Sequence, residues 1–166
     1  MIESFFAWTK QHEMESKARE LLVEKKTVEA EKLLLKALEA DDDNPIDRHF
    51  VYNSLIELYY KMRNEEKDAL EKCINFCRSD IEILPEFLSF YKKRYGEIPE
   101  CPSIERLAII HEKRGEYQEA IDLCKRAIEL GLETSWDSYN ARYGTNKGYK
   151  ARIRKLENKL TPKKEG

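Results

Sequence analysis

Glycine and proline are scarce in this sequence, with 6 and 5 residues among 166. Helix-breaking positions are therefore few, and no stretch alternates apolar and polar residues as a half-buried β-strand does. Leucine, glutamate, lysine, alanine and isoleucine are abundant instead, and this composition favours helix along most of the chain. The sequence predicts an all-α fold, in a chain long enough to bury a core without metals or disulfides.

Long apolar runs are also missing. No stretch approaches the ~20 apolar residues that a membrane-spanning helix needs, and charged residues make up 37 % of the chain. The opening segment 1–8 is apolar but lacks the basic start of a signal peptide. We therefore expect a cytoplasmic protein that has no membrane partner.

Signatures of catalysis are absent as well. The sequence contains no glycine-rich phosphate loop, no His-Glu-x-x-His motif and no Gly-x-Ser-x-Gly motif. The three histidines, His12, His49 and His111, are scattered along the chain. We predict that the protein is not an enzyme and uses no cofactor.

Four cysteines leave two interpretations open. Cys73 and Cys77 share a helix face, and with Cys101 and Cys124 they could form a four-thiolate zinc site or a redox centre. Their spacing is not that of the usual Cys-x-x-Cys loop, and free cysteine is a common small core residue. Reduced core thiols are the preferred interpretation, with no metal ligand predicted.

The charge is unevenly distributed. Residues 142–166 contain nine basic and two acidic residues, a net charge of 9 − 2 = +7, although the whole chain carries −2. Such a segment could bind nucleic acid or another acidic partner. Alternatively, these cations form the solvated face of a capping helix, because apolar residues recur there with helical spacing, at Tyr149, Ile153, Leu156 and Leu160.

The segment 102–131 contains two amphipathic helices separated by an Arg-Gly turn. With Gly115 at the fifteenth place of a 34-residue unit, Ala108, Ala120 and Ala127 fall at places eight, twenty and twenty-seven. In this register the segment resembles a tetratricopeptide repeat. The resemblance implies a right-handed superhelix of stacked helical hairpins, because one repeat cannot bury its apolar face alone.

Two weaker copies precede it. The segment 12–44 has alanines at the same three places and Lys25 where glycine is usual. The middle copy, clearest over 50–84, places Asn64, which tolerates left-handed geometry, at its turn. Its second helix is expected to end at Leu84 before Pro85, and a short separate helix is expected over 86–94. We predict one domain comprising repeat 1 at about 12–44, repeat 2 at about 47–84, an insertion at 85–101, repeat 3 at 102–131, a capping segment at 132–160 and a tail at 161–166.

The resemblance also implies a binding surface, since places five, nine, twelve and thirteen line the concave face of such arrays. In the family, a lysine at place five and an asparagine at place nine together clamp the terminal carboxylate of a peptide. None of the three copies in this chain has that pair, so the clamp is not expected. A protein–protein interaction module that holds a peptide or helix is the expected function, although some of these side chains could instead contact the next helix. The predicted binding residues are Arg19, Leu58, Lys61, Met62, Glu105, Ile109, Glu112 and Lys113.

Overall fold

The computed structural model describes residues 9–40, 44–132 and 148–161, and within these ranges it is all-α, as predicted. No helix there combines the length and apolar composition needed to cross a bilayer. The helices are α1 (Lys10–Val23), α2 (Thr27–Leu38), α3 (Pro45–Met62), α4 (Ala69–Tyr95), α5 (Pro102–Lys113), α6 (Tyr117–Glu129) and α7 (Tyr149–Leu160).

Contacts divide the chain into two compact units, Met1–Phe90 and Tyr91–Gly166, with the boundary inside α4. Some expectations fall outside the described residues. These are the opening segment 1–8, the connector with Trp136, Tyr139 and Tyr143, and the tail beyond residue 161.

Two hairpins, α1–α2 in the first unit and α5–α6 in the second, have the same turn. Lys25 has φ 61° and Gly115 has φ 75°, so both residues are left-handed at the predicted fifteenth place. The next amide closes each turn across the helix end. The Lys26 N–H donates to the Leu21 carbonyl at 2.8 Å, and the Glu116 N–H donates to the His111 carbonyl at 3.0 Å. This is the Schellman arrangement, which satisfies carbonyls at a helix end.

In the first unit, α1, α2 and α3 pack against one another. The three alanines that the repeat pattern placed at close contacts, Ala18, Ala30 and Ala37, are fully buried. Small side chains let the backbones of α1 and α2 lie close together. The Gln11 side-chain amide of α1 therefore reaches the Ala37 carbonyl of α2 and donates to it at 3.1 Å. The side chain of Asn44 caps α3 by accepting from the Ile46 N–H at 2.9 Å.

The expected break before Pro85 is wrong, because α4 continues through it to Tyr95. Proline removes the amide that would donate to the Ile81 carbonyl, and inside a helix it costs about 3 kcal/mol. The helix buries Phe87 and Leu88 beyond the proline. Full burial of such a side chain contributes about 1.5–3 kcal/mol. The burial of these two side chains together offsets the penalty. The Pro85 ring is exposed, so it does not disturb the packing of the core.

The turn between α3 and α4 differs from the other two. Asn64 lies in this turn, as expected, but its φ is not positive, and Lys25 is the one non-glycine residue with positive φ in the described ranges. The turn spans residues 63–68, and the N–H groups of Glu65 and Glu66 both donate to the Met62 carbonyl at 2.9 Å. The longer connection closes without a left-handed residue.

In the second unit, α7 packs against α6, and α5 packs against α6. Ala120, Ile121 and Leu156 form a buried cluster, and Tyr117 and Ile153 pack against it. The predicted C-terminal helix is therefore confirmed. The last residue of its predicted apolar stripe, Leu160, is 46 % exposed and contributes little to that cluster.

The shared turn predicts opposite effects for two substitutions. Lys25→Gly should raise the free energy of unfolding by about 0.5–1 kcal/mol, because it removes the left-handed strain of a side chain. Gly115→Ala should lower that free energy by about 1 kcal/mol, for conformational reasons alone, since nothing lies within 4 Å of an added Cβ. Urea unfolding of both variants measures these changes. A destabilised Lys25→Gly protein would contradict the assigned turn.

Candidate functional site

Four of the predicted binding residues lie in the first unit. Arg19 and Lys61 are exposed, and Met62 is half-buried. Leu58 is 4 % exposed and packs in the core, so its side chain is not available at the surface. In this unit, the surface at the predicted positions is therefore formed by two cations and a methionine.

A buried glutamate holds Arg19 in place. The Arg19 Nε lies 2.9 Å from Glu15 Oε1, and Ser54 Oγ donates to the same oxygen at 2.8 Å. Because Ser54 belongs to α3, this carboxylate joins α1 to α3. Lys61 pairs more loosely with Glu57, at 3.8 Å between two exposed side chains.

The other four predicted residues lie on α5 in the second unit. Ile109 is half-buried and Lys113 is exposed. Glu105 and Glu112 are also half-buried, and both form ion pairs with α7. At these two positions the structure therefore places a helix of the same chain against residues that the resemblance assigned to an open face.

Glu112 is the centre of an ion-pair cluster, which we call the Glu112 cluster and which consists of Glu105, Glu112, Arg152, Lys155 and Lys159. Glu112 Oε1 lies 3.0 Å from Lys159 Nζ and 3.2 Å from Lys155 Nζ. Its other oxygen lies 3.5 Å from an Arg152 nitrogen. Arg152 also reaches Glu105 at 3.8 Å. One carboxylate thus collects three cations from successive turns of α7.

The cluster keeps Glu112 ionised. Partial burial acts to raise the pKa of Glu112, but hydrogen bonds and charge from Lys159 and Lys155 oppose it and leave that pKa below its ordinary value. A carboxylate stabilised by two ammonium groups is harder to protonate. The ionised Glu112 carboxylate therefore contributes to the contact between α5 and α7.

The same contacts bear on the basic C-terminal segment. Of its cations in the described residues, Arg152, Lys155 and Lys159 pair with Glu112 of α5, and Lys150 and Arg154 are exposed. Arg142, Lys147, Lys163 and Lys164 fall outside the described residues. Part of the positive charge therefore holds the helix in place.

Sequence reasoning missed a buried polar network in the first unit. His49 Nδ1 and Asp80 Oδ1 are 2.7 Å apart, and the two side chains are 1 % and 0 % exposed. Asn53 lies one turn further along α3, with its amide nitrogen 2.9 Å from His49 Nε2. The Phe87 ring stacks on the imidazole at 3.8 Å between centroids. The network joins α3 to α4 inside the first unit.

The four cysteines lie in the core. All four are buried thiols rather than disulfides, and Cys73 Sγ donates to the Ile56 carbonyl at 3.5 Å. Burial raises the pKa of Cys124 to about 11, so this thiol is protonated at neutral pH. In the ranges that the structure describes, no group of three or more potential ligands is arranged to hold a metal ion.

Comparisons with known proteins add little to this description. No family model and no solved structure matches the chain. An uncharacterized protein of Aquifex aeolicus (strain VF5) is similar, with 29 % identity over 104 residues. The matched region covers 62 % of this chain and 48 % of that protein. The chain therefore spans about half the length of the curated relative that it matches.

The Glu112 cluster predicts a specific pH dependence. A carboxylate with a lowered folded-state pKa adds stability above its unfolded pKa of about 4.3, and this stability is lost as the pH falls through the folded-state value. Glu112→Gln should lower the free energy of unfolding at pH 7 by about 0.5–1 kcal/mol, and the deficit should shrink towards pH 3.

Urea unfolding at several pH values measures the deficit. Glu129→Gln is a matched control, because Glu129 forms one ion pair between exposed side chains, at 3.6 Å from Arg126. The two variants should differ at pH 7 and converge in acid. A Glu112→Gln deficit that stays constant from pH 7 to pH 3 would contradict the role of its charge.

Proposed function

We propose that the chain is a non-catalytic module that binds a peptide or helix of another protein on the surfaces of its helical hairpins. One observation carries the proposal. The hairpins α1–α2 and α5–α6 share their left-handed turn and a set of fully buried alanines at three corresponding places. The pairs are Ala18 with Ala108, Ala30 with Ala120, and Ala37 with Ala127.

This correspondence supports the resemblance to tetratricopeptide repeats and, with it, a right-handed superhelix as the proposed architecture. Each pair is separated by the same 90 positions as Lys25 and Gly115. A hairpin built in this way leaves one helix face to be covered by a neighbour. Proteins of this architecture use such faces to bind segments of other proteins.

The surfaces at the predicted positions suit an amphipathic or extended segment. The exposed or half-buried residues Arg19, Lys61 and Met62 supply two cations and an apolar side chain in the first unit, and Ile109 and Lys113 supply one of each in the second. Apolar contacts supply affinity in helix and peptide recognition, and charges around them orient the ligand. We place this role in the cytoplasm, where buried thiols stay reduced.

Nucleic-acid binding through residues 142–164 is the weaker proposal. Three cations of that segment form ion pairs within the second unit, and phosphate contacts would compete with those pairs. Binding of short RNA that weakens steeply with salt would favour it.

The test is selection of ligands from an unbiased peptide library with the full chain, followed by fluorescence anisotropy. Lys61→Glu should weaken the selected ligand by at least about tenfold, which corresponds to about 1.4 kcal/mol. Lys32→Glu on the exposed side of α2 is the matched control and should leave affinity within about twofold, as remote surface changes do. Equal effects at the two positions, or no selected ligand, would contradict the proposed surface.

A further inference from the structure

The contact between α7 and the α5–α6 hairpin has two parts. The apolar part has two buried residues of α7. Leu156 is fully buried against Ala120 and Ile121, and Tyr149 is 3 % exposed. The charged part is the Glu112 cluster. Recognition therefore combines two apolar anchors with one carboxylate that collects three cations.

The sequence of α7 follows this two-part surface. The apolar residues Tyr149, Ile153 and Leu156 recur at spacings of four and three, and the cations of the Glu112 cluster, Arg152, Lys155 and Lys159, recur at spacings of three and four. Residues three or four apart lie on one side of a helix. The apolar residues thus face the hairpin while the cations reach over its edge to Glu112. The surface is complementary to a basic amphipathic helix.

As a helix, α7 has little support of its own. Gly148 occupies its N-cap position and has no side chain with which to cap the helix, and its first turn contains no acidic residue. Lys150 and Arg152 lie in that turn instead, where the helix dipole disfavours positive charge. A helix of 12 residues is marginal in water without tertiary contacts. Its helical structure therefore depends on docking.

We propose that α7 is an internal ligand, and that the α5–α6 surface around Glu112 accepts in its place a lysine- and arginine-rich amphipathic helix of another protein. This inference rests on the proposed function and specifies the partner for the second unit. Glu105 and Glu112 are the selecting groups, because they repel an acidic helix and pair with a basic one. Release of α7 and binding of the partner are then competing events at one surface.

A charge-exchange experiment on the full chain tests the inference. The probe is a fluorescent peptide with the sequence of residues 148–161, and a second peptide contains Lys155→Glu and Lys159→Glu. The chains are wild type, a Lys155→Glu/Lys159→Glu variant that weakens the attached α7, and a Glu112→Lys variant. Lys150→Glu is the control chain, because Lys150 is an exposed cation of α7 outside the Glu112 cluster.

The Lys155→Glu/Lys159→Glu chain should bind the unmodified peptide at least about tenfold more tightly than wild type or the control chain does, because its own α7 competes less. The wild-type surface should prefer the unmodified peptide to the peptide with two glutamates. The Glu112→Lys chain should reverse this preference between the two peptides. Circular dichroism establishes that each chain stays helical, and milder Lys155→Gln and Lys159→Gln chains should show the same order with smaller differences.

Several results would overturn the inference. These are equal affinity of the wild-type and Lys155→Glu/Lys159→Glu chains, no peptide binding by any chain, and no change of preference with Glu112→Lys. A wild-type dimer that Glu112→Lys dissociates would also overturn it, since α7 would then bind a second copy. If the ligand selected from the peptide library still binds in such a case, and its binding still depends on Lys61, the proposed function stands without this inference. If that ligand is lost too, both fail.

Discussion

The covering of a hairpin face by a further helix is the interaction on which this structure depends. Two helices joined by a three-residue turn share one apolar side, and neither helix can shield that side from water alone. In the second unit, α7 covers it with Tyr149 and Leu156, and the full burial of Leu156 alone contributes about 1.5–3 kcal/mol. The residue at the N-cap position of α7 is a glycine, which has no side chain to cap the helix, and the ion pairs at Glu112 add to the stability of the docked helix.

Charge and apolar contact have different tasks at this surface. Apolar burial is non-directional, so a leucine on many helices could fill the place of Leu156. Glu112 adds selectivity, because three cations at the correct spacing satisfy it and an acidic helix does not. The proposed recognition of a basic partner helix therefore uses the same chemistry as the docking of α7.

Local sequence rules predicted much of the fold. The left-handed positions of Lys25 and Gly115 follow from helix-end stereochemistry, and the buried alanines follow from their spacing in each hairpin. The continuation of α4 through Pro85 was not predictable in this way. It depends on Phe87 meeting His49 from α3, a contact between residues 38 positions apart.

The candidate site shows the same limit. A repeat pattern assigns Glu105 and Glu112 to one face of α5, but it does not say what lies against that face. The cations of α7 were visible in the sequence, and their pairing with α5 required the arrangement of three helices. The His49–Asp80 pair was hidden for the same reason, because its partners occupy different helices and neither residue is part of a motif.

Hydrogen exchange followed by mass spectrometry on wild type and Leu156→Ala tests the central claim most directly. If α7 covers the hairpin, the variant should exchange faster over both α7 and α6, with α1–α2 as the internal reference for global unfolding. Exchange over α6 that is unchanged while α7 alone loses protection would contradict the account, because the hairpin would then hold its structure without a covering helix.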